Sequence, residues 1–189
     1  MIPNNSPSRA FPVSVNMSST LYRNGTIITV NERREIILDG GIHVVGNRIA
    51  AIGKSSNFAN SSSLPANTTI VDLEGRVVIP GLINAHAHLI QSLMRGLAED
   101  MDLHHWACDA IWPLEASYEG DDGYIAAKLA MSEMLKSGTT CFLEPMLPSH
   151  AGFDRVSKAL EETAIRGCLV SCDKGFNSKE LTENLGNTY

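Results

Sequence analysis

Two histidines, His86 and His88, stand two residues apart at the end of a short apolar segment. If residues 82–88 form a β-strand, alternate side chains point to one face, so both imidazole rings lie on the same side of the sheet. Two ring nitrogens on one face suit a zinc-type ion, whose Zn–N bonds are near 2.0–2.1 Å. An isolated His-x-His pair is more commonly two polar residues on a half-exposed strand. Here the preceding run, Val77–Ile79, is apolar, and a buried strand that ends in histidines favours a metal site.

The sequence around these histidines resembles a known family. The motifs that carry the resemblance are, in chain order, PGLINAHAHL, LMRGLAEDM, IWPLE and SGTT. Together they are similar to the amidohydrolase superfamily of metal-dependent hydrolases, and to its branch of methylthioadenosine/S-adenosylhomocysteine deaminases, guanine deaminases and triazine chlorohydrolases. The resemblance runs from about Leu21 to Val170, nearly the whole of the chain except its two ends.

The resemblance implies hydrolysis of a C–N bond other than a peptide bond, in the form of hydrolytic deamination of a purine, a nucleoside or a related amino-heterocycle. It implies Zn²⁺, or another divalent ion such as Fe²⁺, with His86 and His88 as two of the ligands. In the family, two later histidines and an aspartate complete the site, and a glutamate moves the proton. The sequence shows none of the strands that carry them, so we expect no catalytic residue in this chain and no turnover by the chain alone.

Glu115 is the substrate-binding residue that the resemblance indicates. In the family, the glutamate of a Trp-Pro-Leu-Glu segment hydrogen-bonds the ribose hydroxyls of an adenosine-type substrate, and residues 112–115 match that segment. The alternative is a solvated carboxylate that follows a helix end. The flanking Trp112-Pro113 favours the binding role.

Two positions depart from the pattern of the methylthioadenosine deaminases. Ser171 or Cys172 stands where that group has a substrate-binding arginine on the third barrel strand. The segment over residues 140–146 also differs from the family's usual end of the second strand, and its Glu144 either points into the barrel mouth or is a helix-entry or loop carboxylate. These departures weaken the case for an adenosine-type substrate. Removal of chloride by the same fold, and a fragment without catalysis, therefore stay open as alternatives.

The other histidines after the pair have no predicted metal role. His104 and His105 are adjacent at a predicted helix start, which is typical of surface or capping residues. His150 lies in a Pro-Ser-His loop at the wrong place for a ligand of this family.

The composition of the chain argues against nucleic acids and membranes as partners. The net charge of −6 argues against nucleic acid or an anionic membrane surface as the main partner. No apolar run approaches the roughly 20 residues needed to span a bilayer. The four cysteines include no Cys-x-x-Cys pair, which favours a reducing, cytoplasmic location over a disulfide framework or a zinc–thiolate site. The expected partner is a small heterocyclic substrate, and a homo-oligomeric full-length protein stays open.

The elements that must position these residues predict an α/β chain. Short strands between Gly and Asn turns predict a small antiparallel, β-sandwich-like unit over residues 21–80, after a disordered tail over 1–20. Alternating strands and helices over residues 81–173 predict parallel βαβ units, and in the resembling family such units begin a (β/α)8 TIM-type barrel. A whole barrel takes about 250 residues, so we expect an incomplete barrel followed by an irregular tail over 174–189.

Several finer predictions bear on the site. The pattern predicts a turn at residues 39–41, a strand over 82–88, a helix over 103–111 that Trp112-Pro113 ends, and a helix over 121–136. The predicted apolar face of the last helix consists of Ile125, Leu129, Met131, Met134 and Leu135. In an incomplete barrel we expect the barrel-facing side chains, Leu82, Phe142 and Leu169 or their neighbours, to be uncovered.

Overall fold

The structure, a computed structural model, describes residues 17–59, 64–148 and 151–172. Contacts divide the chain into two compact units, Met1–Pro80 and Gly81–Tyr189. His150 and the predicted tail over 174–189 lie outside the described residues, as does most of the predicted tail over 1–20. Across the ranges described, no helix has both the length and the apolar character needed to cross a bilayer.

The first unit is built on one five-stranded sheet. Its strands are β1 (Ser19–Ile28), β2 (Ile36–Val45), β3 (Arg48–Lys54), β4 (Thr69–Asp72) and β5 (Val77–Val78). β2 pairs antiparallel with both β1 and β3, whereas β4 and β5 each pair parallel with β1. The prediction of an antiparallel unit is therefore wrong for β4 and β5. The chain after β3 crosses over through the 3₁₀ helix Ser55–Phe58 before it returns beside β1, and parallel neighbours require such a crossover.

The predicted turn at residues 39–41 is wrong, because β2 runs straight through it. Gly40 pairs with Gly25 of β1, where the register of the two strands shifts, and Asp39 has a φ of +48°. The glycine therefore serves an irregularity within the strand. A Cβ atom on Gly40 would lie 2.5 Å from Cγ1 of Ile27, so only glycine lets the strands approach this closely.

The second unit alternates strands and helices. Its strands are β6 (Leu82–Asn84), β7 (Thr139–Pro148) and β8 (Arg166–Cys172). Its helical segments are the 3₁₀ helix Leu89–Met94, α1 (Leu103–His105), the π-helix Trp106–Ile111, α2 (Trp112–Ala116), α3 (Asp122–Lys136) and α4 (Phe153–Thr163). The strands pair in the order β6-β7-β8 and both pairs are parallel. The parallel βαβ prediction is confirmed for these strands.

The core of this unit lies between the sheet and the two long helices. Its fully buried side chains include Leu89, Ala126, Ala127, Met131, Phe142, Leu147 and Val156. Helix α3 follows its predicted range but buries mainly small residues, while Ile125, Leu129 and Leu135 are exposed. The predicted apolar face is therefore wrong at these three positions, because Ala126 and Ala127 allow a closer approach of α3 to its neighbours than larger side chains would.

The helix predicted to end at Trp112-Pro113 continues past it, as α1, the π-helix and α2 in succession. Pro113 lies in the first turn of α2, where a missing backbone N–H is tolerated. The backbone N–H of Trp112 bonds to the carbonyl oxygen of Ala107, five residues earlier, which is the wider spacing of a π-helix. Glu115 is therefore a helical residue and does not follow a helix end.

The uncovered apolar residues are partly those predicted. On β6, Leu82 is 50% exposed and Ile83 is 74% exposed. Phe142 is buried, contrary to the prediction, and Leu169 is partly buried against the core. The ring of Phe142 packs over Gly167 of β8, where a Cβ atom would lie 2.4 Å from Cζ, so this side chain belongs to the helix-covered core.

Candidate metal centre

His86 and His88 lie just beyond the carboxyl end of β6. The predicted strand over 82–88 is wrong in its length, because β6 ends at Asn84. The Oδ1 atom of Asn84 accepts a hydrogen bond of 3.2 Å from the backbone N–H of His86, which turns the chain out of the strand. The N–H of Ala87 then bonds to the carbonyl oxygen of Leu143 at 2.9 Å. This bond keeps the histidine segment beside β7.

The structure brings the two imidazole rings together. Their Nε2 atoms are 3.1 Å apart, and the rings meet edge to face at a centroid distance of 4.8 Å. Two nitrogen ligands of a tetrahedral zinc ion with bonds near 2.0–2.1 Å lie about 3.3 Å apart. His86 and His88 therefore fit two positions of one zinc-type site, although they project from a bend and not from the strand itself.

The two histidines alone do not make a complete metal site. Within residues 17–59, 64–148 and 151–172, no group of three or more His, Cys, Asp or Glu side chains is arranged to hold a metal ion. A catalytic zinc ion normally has three protein ligands and an open position for water.

Glu144 is the residue whose place the sequence left open. It lies on β7, its carboxylate is fully buried, and one of its oxygens is 3.3 Å from Nδ1 of His88. It also accepts hydrogen bonds from the backbone N–H groups of Leu89, at 2.6 Å, and Met146, at 3.1 Å. Because it is buried within a strand, Glu144 is not a loop carboxylate. The signal in the sequence for a buried role was the position of this glutamate among apolar and β-branched strand residues.

The carboxylate of Glu144 also affects the protonation of His88. Their hydrogen bond raises the pKa of His88 above its usual value, because a carboxylate favours the positively charged imidazolium. Partial burial acts in the opposite direction, but more weakly.

Glu115 is buried in α2, with 6% of its surface exposed. Its Oε1 atom accepts a hydrogen bond of 2.7 Å from the side-chain amide of Gln91. Burial raises the pKa of Glu115, and the charges of His88 and Glu144 act on it with opposite signs, so the three groups share one electrostatic environment. The interpretation of Glu115 as a solvated carboxylate is wrong.

An open cavity of about 680 Å³ connects several of these groups. Its lining includes Asn84, His88, Gln91 and, on the π-helix, Trp106 and Ile111. Its volume falls in the range of roughly 300–1,000 Å³ that is usual for small-molecule sites. Glu115 is adjacent to this cavity through Gln91 and does not line it.

Among the described residues, neither His104 nor His105 forms a metal-binding group with the pair. His104 and His105 are exposed, and Nδ1 of His105 is 2.5 Å from the carboxylate of Asp102, which caps α1. Ser171, one of the two residues predicted at the position of the family's arginine, is exposed near the end of β8.

The second unit is a parallel α/β fold with a histidine pair just beyond its first strand. Comparison with known proteins identifies the family. Residues 77–184, more than half of the chain, match the amidohydrolase family. The chain belongs to the amidohydrolase family.

Individual relatives agree with this membership. The chain is similar to a 5-methylthioadenosine/S-adenosylhomocysteine deaminase of Bacillus cereus strain AH187, at 35% identity over 161 residues, or 85% of this chain and 36% of the relative. The chain therefore spans little more than a third of the length of the curated relatives that it matches.

Solved structures share the fold. An atrazine chlorohydrolase from Arthrobacter aurescens TC1, complexed with zinc, matches with a TM-score of 0.69 and 22% identity over 88% of this chain and 42% of that one. An adenosine deaminase from Xanthomonas campestris with bound zinc matches with a TM-score of 0.65 and 23% identity, over 89% and 38%. At these identities the likeness concerns the fold alone.

Proposed function

We propose that the full-length protein that contains this chain is a metal-dependent hydrolase that deaminates a purine nucleoside or a related amino-heterocycle. The observation that carries the proposal is the 3.1 Å approach of two imidazole nitrogens beyond the first parallel strand, in a member of the amidohydrolase family. The deaminase names of its relatives support this reaction.

His86 and His88 are proposed as two ligands of Zn²⁺ or of another divalent ion such as Fe²⁺. An ion bound there would supply Lewis-acid chemistry, because a divalent ion lowers the pKa of bound water to about 7. Glu144 and Asn84 hold the histidine segment in place, through bonds to His88, to Leu89 and to the backbone of His86. The remaining ligands and the proton-transfer group are proposed to lie outside this chain, which alone has no turnover.

Substrate binds beside this pair, in the cavity lined by His88 and Gln91. Glu115 is proposed to bind ribose hydroxyls, with Gln91 as its present partner. In the reaction, the oxygen of water forms a bond to the ring carbon that bears the amino group. The C–N bond then breaks, and the amino nitrogen, which keeps its two hydrogens and takes one proton from the water, leaves as ammonia. The other proton of the water stays on the product.

We propose that the two units of this chain correspond to parts of the fold of the amidohydrolase family. The βαβ units of residues 81–173 form the start of a (β/α)8 barrel, and residues 21–80 form part of a composite β-sandwich domain. A cytoplasmic location agrees with the free thiols of Cys108, Cys141 and Cys168.

A second candidate reaction keeps the site and changes the leaving group to chloride. The observation that favours it is that Ser171 or Cys172 stands where the resembling deaminases have a substrate-binding arginine. A fragment without catalysis is the third possibility.

The test uses the purified full-length protein with its metal content measured. Ammonia release is assayed with methylthioadenosine, S-adenosylhomocysteine, adenosine and guanine, and chloride release with a chlorinated triazine. We expect ammonia release that a chelator abolishes and added zinc restores. Chloride release alone would favour the second candidate, and metal-independent activity or none would contradict the proposal.

Glu115→Ala tests the substrate class. The loss of a hydrogen bond to a charged group costs roughly 1.5–3 kcal/mol, so KM for nucleosides should rise about 10- to 100-fold. KM for guanine, which has no ribose, should change far less. Equal effects on both substrates would remove the ribose role of Glu115.

A further inference from the structure

We propose that Glu144 is a positioning residue, which fixes the ring of His88 and the tautomer in which that ring meets a metal ion. The inference rests on the proposed function for the metal. Its structural basis, the buried contact between the Glu144 carboxylate and His88, stands independently of it.

The hydrogen-bond partners of Glu144 decide the tautomer. An ionised carboxylate only accepts hydrogen bonds. Two of its partners are the backbone N–H groups of Leu89 and Met146, which are donors by nature. Nδ1 of His88, at 3.3 Å, must therefore carry a hydrogen to be a favourable third partner. In the neutral ring the hydrogen-free nitrogen is then Nε2, and that atom faces Nε2 of His86 at 3.1 Å.

The same carboxylate also fixes the backbone next to the ring. The N–H of Leu89 is the first of the 3₁₀ helix Leu89–Met94, for which His88 is the N-cap residue. Glu144 thus ties β7 both to the ring of His88 and to the peptide that follows it. A carboxylate behind a metal-binding histidine is a common arrangement, and its loss typically costs 10- to 100-fold in metal affinity.

The competing explanation is that Glu144 only caps the 3₁₀ helix. Glu144→Gln separates the two roles, because an amide has one acceptor oxygen and one donor group. Oε2 of Glu144 accepts from Leu89, while Oε1 faces both Nδ1 of His88 and the N–H of Met146. If the amide oxygen of the variant keeps the short bond to Leu89, the NH₂ group donates to Nδ1 of His88 and the bond to Met146 is lost. The hydrogen of the neutral ring must then move to Nε2, the atom needed by the metal.

The experiment measures the tautomer and the metal affinity separately in the full-length protein. Nitrogen-15 NMR of labelled histidine in the metal-free protein reports which ring nitrogen of His88 carries the hydrogen, and competition with a chelator gives the zinc dissociation constant. We expect Nδ1–H in the parent and Nε2–H in Glu144→Gln, with zinc affinity about 10- to 100-fold weaker in the variant. Leu147→Ala is the matched control, since Leu147 is buried in the same strand. It should lose stability and keep both the tautomer and the zinc affinity.

Each outcome is decisive. An Nε2–H tautomer of His88 in the parent overturns the proposal, and this measurement needs no variant to fold. A Glu144→Gln variant that keeps the parental tautomer and yet loses zinc affinity overturns it as well, because the loss then comes from the fold. A parent protein that binds no zinc contradicts the proposed function, while the NMR measurement still tests the hold of Glu144 on His88.

Discussion

At the scale of single residues, the pair His86 and His88 offers the most direct test of the proposed metal site. Each ring supplies one of the two nitrogens that lie 3.1 Å apart. We expect His86→Ala in the full-length protein to weaken zinc binding by more than the roughly 10- to 100-fold typical of changes behind the ligands. Zinc per protein after dialysis, measured by atomic absorption, checks this.

His105→Ala is the control for that experiment. His105 is an exposed histidine of the same unit whose partner is Asp102. The control should retain the zinc of the parent, and retention of zinc by His86→Ala would contradict the metal role of the pair.

Glu115 predicts a dependence of stability on pH. Burial raises its pKa in the folded protein, so the ionised carboxylate is less favourable there than in the unfolded chain. The free energy of unfolding therefore falls as pH rises from the pKa of Glu115 in the unfolded chain to its higher pKa in the folded protein. Below both pKa values Glu115 is protonated in both states and has no such effect. Glu115→Gln should remove this loss and be more stable than the parent at neutral pH.

Urea unfolding of the metal-free full-length protein, from about pH 4 to about pH 8, measures the difference between parent and variant. Glu119→Gln, at an exposed glutamate a few residues along the chain, is the control and should leave the curve of the parent unchanged. A parent and a Glu115→Gln variant with parallel curves would show that burial imposes no such cost on Glu115.

At the scale of elements, α3 is positioned by a close approach of its first turn to the chain before α4. A Cβ atom on Gly123 would lie 2.2 Å from the carbonyl oxygen of Ala151, a backbone atom with little freedom to move. Gly123→Ala gains up to about 1 kcal/mol in helix propensity. We expect the collision to outweigh that gain and to destabilise the protein by about 1–3 kcal/mol.

Chemical unfolding of the full-length protein checks the sign. Ser132→Ala, on the exposed part of the same helix, is the control and should stay within about 0.5 kcal/mol of the parent. A Gly123→Ala variant as stable as the parent would mean that α3 and the segment before α4 can separate without cost.

At the scale of the whole molecule, the second unit presents apolar surface on an edge strand. β6 pairs only with β7 among the described strands, and Ile83 on it is 74% exposed. Such an edge is a template for pairing with another chain. We expect the isolated 189-residue chain to self-associate, and Ile83→Lys to suppress this, because a lysine on an edge opposes pairing.

Light scattering after gel filtration, over a range of chain concentrations, measures the association. Lys136→Ala, at the end of helix α3 and away from any sheet edge, is a control that should leave the association unchanged. A monomeric isolated chain with metal-dependent turnover would contradict both this prediction and the proposal that essential ligands lie elsewhere.

Local patterns were enough to predict the alternation of strands and helices after Gly81, the range of α3 and the spacing of His86 and His88. These features depend on residues a few positions apart, through period, capping and glycine or proline placement. The segment around Glu115 was also recognisable from its neighbours in sequence. For these features the amino-acid sequence alone was sufficient.

Tertiary structure decided what depends on partners far along the chain. Direct pairing of β4 with β1 places a late strand beside an early one, and Glu144 meets His88 across 56 positions. The end of β6 at Asn84, and the burial of Glu115 and Phe142, likewise follow from contacts that no local pattern contains. Side chains two apart on a strand face the same way by geometry, but a carboxylate that holds one of them is brought there only by the packing of β7 against β6.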